Sequence, residues 1–150
     1  MSLSKSLLLA FGLFLGTISL ASANGLSPLE IKTSDGRILR FTVELALTPE
    51  EQTIGLMNRS NLPADSGMLF DFGRDRPITM WMKNTLIPLD MIFVAADGTV
   101  LGIAERTVPM SLEIIPSPGP IRAVIEVNGG TSDHLKIHPG DHLIQPVLTR

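Results

Sequence analysis

The 150-residue sequence contains no cysteine. That absence excludes a disulfide scaffold, a zinc–thiolate site, an iron–sulfur cluster, a cysteine nucleophile and a lipid-modified N-terminal cysteine. Basic charge is also short: 12 Lys and Arg face 15 Asp and Glu, a formal net charge of -3. Non-specific nucleic-acid binding needs a basic face, so nucleic acid is not an expected partner. There is no Gly-x-Ser-x-Gly elbow, and after residue 23 no Ser-x-x-Lys motif. Internal repeats and low-complexity runs are missing as well.

The mean hydropathy is nevertheless positive, +0.29. Its source is the first segment. Lys5 supplies a positive n-region, Leu7 to Leu20 an apolar h-region, and Ala21-Ser22-Ala23 a small-x-small cleavage pattern. An h-region of about 14 residues is too short for the roughly 20 that span a bilayer, and no later stretch is long enough. Residues 1–23 therefore read as a secretory signal peptide cleaved after Ala23, and the mature chain as periplasmic or secreted. Loss of Lys5 leaves 11 basic against 15 acidic residues, a net charge of -4. Residues 24–150 then have ordinary globular hydrophobicity and suffice for one domain, expected to be a monomer.

Residues 24–28 read as a polar leader. Leu29–Thr33 and Arg37–Leu47 flank Ser34-Asp35-Gly36 and alternate apolar with polar residues, which predicts a β-hairpin. Thr48-Pro49-Glu50-Glu51 is a capping box with proline at the first helical position, predicting a helix over 49–57. Gly67–Phe72, Ile78–Lys83, Leu89–Ala95, Thr99–Arg106, Ile121–Val127 and Leu143–Leu148 read as strands, with residues 73–77 as a charged turn. Leu89–Ala95 is apolar on both faces, as in a central strand. Thr107–Pro120, with four prolines, is a long connection; Thr131–Leu135 fits one helical turn and Pro139-Gly140 a type II turn. The expected fold is mainly β: a small barrel-like or rolled antiparallel sheet with one short capped helix.

Three blocks carry a family resemblance: Gly55-Leu56-Met57-Asn58-Arg59; Gly67-Met68-Leu69-Phe70; and Met80-Trp81-Met82-Lys83-Asn84-Thr85 continuing through Pro88-Leu89-Asp90-Met91-Ile92-Phe93. Together with Val124-Ile125-Glu126-Val127, Gly129-Gly130 and Pro139-Gly140-Asp141, they resemble domain-of-unknown-function family 192 over about residues 44–147. Members of that prokaryotic family are often exported. The family has no established reaction, so the resemblance implies no catalytic residues and no cofactor.

The block from Trp81 to Asp90 is the best candidate surface. On a strand, Ile78, Met80 and Met82 share one face and Thr79, Trp81 and Lys83 the other. Trp81 beside Lys83 would form an aromatic platform with a cation at its edge, and Asn84, Thr85 and Asp90 add polar groups. These residues suit a small pocket for an anionic or sugar-like ligand; alternatively Asn84 and Asp90 cap loop N–H groups while Trp81 fills the core. Glu126 interrupts an apolar strand, so it is expected to be partly buried, either paired with an arginine such as Arg59 or lining a pocket.

Two other chemistries compete with a ligand- or partner-binding module. Lys83 and Asp90 could form the proton-transfer pair of a small hydrolase, with Thr85 as nucleophile. Met57, Met68, Met80, Met82 and Met91 fall within 35 residues, and the Met80/Met82 face could carry Cu(I), although methionine is also a common core filler. His134, His138 and His142 have helical spacing, but Pro139-Gly140 breaks any helix through them, so no metal site is expected there.

Overall fold

Apolar–polar alternation on both sides of Asp35-Gly36 builds the first hairpin. In the computed structural model, which describes residues 25–149, β1 (Leu26–Lys32) pairs antiparallel with β2 (Ile38–Ala46). The expected signal segment lies outside the described residues. The polar leader is shorter than predicted, because backbone pairing of β1 already starts at Leu26, opposite Glu44.

Helix α1 (Pro49–Ile54) starts as its sequence dictates. Thr48 accepts from the Glu51 N–H through its hydroxyl, and the Glu51 carboxylate accepts from the Thr48 N–H at 2.9 Å. The helix stops before Met57. Gly55 leaves helical geometry with φ +48°, and a Cβ there would lie 3.1 Å from the Phe70 ring.

Among the described residues seven more strands follow: β3 (Ser66–Arg76), β4 (Thr79–Met80), β5 (Leu89–Val94), β6 (Val100–Ala104), β7 (Ile115–Pro116), β8 (Ile121–Asn128) and β9 (His142–Ile144). A second short helix, α2 (Thr131–Leu135), precedes β9, and a 3-10 turn at Pro146–Thr149 replaces the second half of the expected last strand. Residues 73–76 prolong β3 across an irregularity between Asp71 and Arg76, where a charged turn was expected. The predicted strand over Ile78–Lys83 shrinks to the two residues of β4, paired only with β7. From Met82 onward the backbone turns, with the Thr85 N–H donating to the Met82 carbonyl.

The main sheet has the order β6-β5-β8-β3-β2-β1-β9. All its pairs are antiparallel except β2–β3, which run parallel because α1 and its loop carry the chain back across the sheet. The sheet is therefore mixed, and among the described residues the capped helix α1 is joined by α2, at the residues where one helical turn was expected. The sheet curls until its edges meet at one end. Thr99 bridges to His142, the Val100 N–H donates to the Asp141 carbonyl, and the Leu143 N–H donates to the Gly98 carbonyl. The mainly β, barrel-like expectation is met.

Burial divides the sheet into two layers. Leu29, Ile31, Phe41, Val43, Leu69, Ile92, Val94, Ile125 and Val127 fill the inside of the roll. Met68 and Phe70 of β3, Leu89, Met91 and Phe93 of β5, and Val124 of β8 point to the outer face, where Leu56, Ile78 and Met82 cover them. β3, β5 and β8 are thus apolar on both faces, as was expected for Leu89–Ala95. The covering layer comes from the α1 segment and from residues 77–88, and it positions the site.

Candidate functional site

Between the outer face of the sheet and this covering layer lies a cavity of about 450 Å³. Its walls are mostly apolar: Leu56, Met57, Phe70, Phe72, Met80, Trp81 and Ile114, with Gln52, Thr53, Thr79 and Thr85 as neutral polar groups. Among the described residues, two charged side chains line it, Lys83 and Glu126.

Glu126 occupies the middle of β8, directly between Met68 on β3 and Met91 on β5. Strand alternation turns it to the outer face with Val124, and the residue is only 5% exposed. Among the described residues its carboxyl group has neither an ion-pair partner nor a side-chain hydrogen bond. Desolvation, with no compensating cation, pushes its pKa from 4.5 up to about 8. At neutral pH the group is therefore mainly the uncharged acid. The expected Arg59 partner lies elsewhere: Arg59 forks onto both carboxylate oxygens of Glu44. That pair holds Glu44 below the usual carboxylate range, chiefly through the Arg59 hydrogen bonds.

Trp81 lines the cavity mouth and is 41% exposed, so it is not a core side chain. The Lys83 ammonium rests 5.0 Å from its ring centroid, a cation–π contact at the surface. The faces of residues 78–83 alternate as expected even though most of the segment is unpaired: Ile78 and Met82 are buried, whereas Thr79, Trp81 and Lys83 are exposed. Asn84 adopts φ +53°, and its carbonyl accepts from the Asn58 N–H at 2.8 Å, joining the two loops that flank the cavity. Thr85 is buried, with its hydroxyl donating to the Lys83 carbonyl at 3.2 Å.

Asp90 is not at the cavity. It is fully buried, and its carboxylate accepts from the backbone N–H groups of Arg106, Gly130 and Ser132, each at 2.8 Å. It acts as a cap that ties β5 to two loops, the role its residue type suits in turns. Lys83 and Asp90 are therefore not assembled as a proton-transfer pair. The methionine face is likewise closed. Met82 is fully buried with its sulfur accepting from the Thr107 hydroxyl at 3.1 Å, and only Met80 of that pair borders the cavity. Among the described residues no group of three His, Asp or Glu side chains is placed to hold a metal ion.

Sequence reading missed Phe70, Phe72, Gln52, Thr53 and Ile114 as cavity lining. Phe70 and Phe72 had a signal, since period two in β3 puts them on the face of Met68. The register that sets Met68 beside Glu126 had none. Ile114 belongs to the proline-rich connection, whose path over the mouth is set by backbone pairing of Met82 with Ser111 and of Met110 with Thr85. A second recess of about 760 Å³, between β2 and α2, includes Arg40, Phe41, Leu62, Asn128 and His134.

The fold and sequence have relatives among solved structures. A chain from Sinorhizobium meliloti described as a "putative transcription regulator" is 47% identical, with a TM-score of 0.79 over 81% of this chain and 94% of that one. A protein of unknown function from Novosphingobium aromaticivorans is 41% identical, with a TM-score of 0.76 over 79% of this chain and 84% of that one. No curated protein matches. The model of the family DUF192, described as an uncharacterized ACR, matches residues 30–145, almost the whole described chain. The protein is a member of the DUF192 family.

Proposed function

We propose that this protein is a small-molecule-binding module, exported as a monomer through the signal segment 1–23, with the cavity above Glu126 as its binding site. The observation that carries this reading is the Glu126 carboxyl, without an ion-pair or hydrogen-bond partner among the described residues, at the wall of a cavity lined more by apolar than by polar groups. A carboxyl group in a cleft whose pKa is strongly raised by desolvation is a mark of functional sites. Apolar walls with a few convergent polar groups are the usual make-up of a ligand pocket, and about 450 Å³ suits a small molecule. The sequence pattern of residues 1–23 supports export. The regulator description belongs to the Sinorhizobium protein, and a net charge of -3 gives this chain no excess of basic residues for DNA.

The test is a fragment screen by protein NMR on the mature chain. Fragments should shift the Trp81 indole and the Thr85 and Glu126 amides, and Thr85→Leu, which fills the cavity, should abolish those shifts. Hits that cluster elsewhere and survive Thr85→Leu reject the site. Expression with the native leader should yield a product beginning at Asn24 in the periplasm; an intact Met1 terminus in the cytoplasm rejects export.

One observation favours a protein partner as a second reading. Val108, Met110, Leu112 and Ile114 expose between 54% and 68% of their surface within one loop beside the cavity mouth. Contiguous exposed apolar groups mark interaction surfaces. Replacing Leu112 and Val108 by serine should weaken capture of such a partner and leave fragment binding unchanged.

A further inference from the structure

Given the ligand-binding reading above, we propose that the ligand carries a positively charged amine that pairs with the Glu126 carboxylate, and that Glu126 releases its proton to solvent as the ligand enters.

The cavity wall around Glu126 offers acceptors and polarizable surface but almost no donors. β3 and β5 present Met68 and Met91 beside the carboxyl group, and β8 presents Val124 and Asn128 on the same face. None of these can supply a charge. The Asn128 amide is already engaged, donating to the Leu62 carbonyl at 2.8 Å. In the covering layer the Thr85 hydroxyl is likewise engaged, donating to the Lys83 carbonyl. Among the described residues Lys83 is the only cation lining the cavity, and its ammonium is drawn out over Trp81 at the exposed mouth. An anionic ligand at the cavity floor would meet the un-ionised Glu126 O–H but no cation to offset its charge, and it would oppose ionisation of that carboxyl group.

An ammonium group meets the opposite conditions. It brings the donors that Glu126 lacks, and it removes the cost of an isolated buried charge by pairing with it. Phe70 and Phe72 add aromatic walls and Met57 and Met80 add thioethers, surfaces that favour an alkylammonium with a short apolar tail. The proton balance is simple. The neutral acid and the ammonium ion become a carboxylate–ammonium pair, and one proton leaves to solvent. No other bond is made or broken.

Three probes of equal length separate the charge from the cavity: n-hexylammonium, n-hexanol and n-hexanoate, titrated into the mature protein at pH 7 and pH 9. The amine keeps its charge at both, like a lysine side chain with pKa near ~10.4. With Glu126 titrating at about 8, its ionised fraction rises about tenfold over that interval. Hexylammonium should therefore bind about tenfold more tightly at pH 9, and calorimetry at pH 7 should show close to one proton released per ligand. Hexanol should show no pH dependence. Glu126→Gln should remove the pH dependence for the amine and bring its affinity down to that of hexanol, whose retained binding shows that the variant cavity is intact. Hexanoate binding more tightly than hexylammonium, or hexylammonium matching hexanol at pH 9, overturns the amine assignment while leaving the cavity as a binding site. Failure of all three probes to perturb cavity residues at 10 mM (about the weakest binding such titrations read) removes both.

Discussion

Replacing Glu126 by glutamine should change how stability depends on pH. In the folded chain the carboxyl group is pushed from 4.5 to about 8 by burial alone. The folded state therefore holds a proton that the unfolded chain releases, and this holds between those two values. The contribution of the group is most favourable below pH 4.5 and declines as pH rises towards 8, where the buried carboxyl ionises too. At about 1.4 kcal/mol per pH unit, the whole window amounts to about 5 kcal/mol, and the part between pH 5 and pH 8 to about 3–4 kcal/mol. Small domains have only about 5–15 kcal/mol in total, so the effect is measurable. Urea unfolding of the wild type and Glu126→Gln, run in parallel at pH 5, 6, 7 and 8, isolates it. The other titrating groups, such as Glu44 with Arg59, cancel in the difference. The glutamine variant should gain on the wild type by about 3–4 kcal/mol from pH 5 to pH 8. A difference that stays flat over this range, or a Glu126 carboxyl resonance that titrates near 4.5, refutes the isolated-carboxyl account.

Other substitutions probe the surrounding parts. Asp90→Ala leaves three backbone N–H groups without their acceptor and should cost about 3–5 kcal/mol in denaturant unfolding; a loss under about 1 kcal/mol would contradict the capping role. Trp81→Ala should cost only about 1–2 kcal/mol, below the about 3–5 of a core aromatic, yet weaken binding of any cavity probe. If its stability loss reaches the core range with binding unchanged, Trp81 is structural. Gly67→Ala puts a Cβ 2.5 Å from the Glu126 carbonyl oxygen, so the β3–β8 pairing must open. A loss of about 1–3 kcal/mol and a shifted Glu126 amide resonance should follow, and unchanged stability would show that the strands tolerate more separation. Thr48→Ala removes the side-chain half of the α1 capping box and should lower the unfolding free energy by about 1 kcal/mol, checked by the same denaturant series.

Local periodicity was sufficient wherever neighbours along the chain decide the outcome. The Asp35-Gly36 hairpin, the Thr48–Glu51 capping box and the two-sided burial of Leu89–Val94 are all visible in their own residues. It failed where a distant segment intervenes. Residues 78–83 have the alternation of a strand, but only Thr79 and Met80 find a partner, because β7 is two residues long. The charged residues 73–76 suggest a turn, yet β8 continues far enough for Arg76 to pair with Ile121. The parallel β2–β3 pair leaves no mark in either strand, since α1 and its loop fit a return to the sheet in either direction.

The candidate site divides the same way. That Glu126 breaks an apolar strand, that Trp81 and Lys83 share one face, and that thiol chemistry is excluded are all legible in the residues alone. Which acidic residue is structural and which is open follows from long-range packing. Asp90 and Glu126 both sit in buried central strands, and their own sequence contexts do not separate them. Asp90 meets three backbone N–H groups from residues 106, 130 and 132, whereas Glu126 meets two methionines and a cavity. The electrostatic state of a buried carboxyl depends on the few groups within hydrogen-bonding reach. In a rolled sheet those groups come from strands and loops far apart in the chain, so the pattern within one strand cannot specify them.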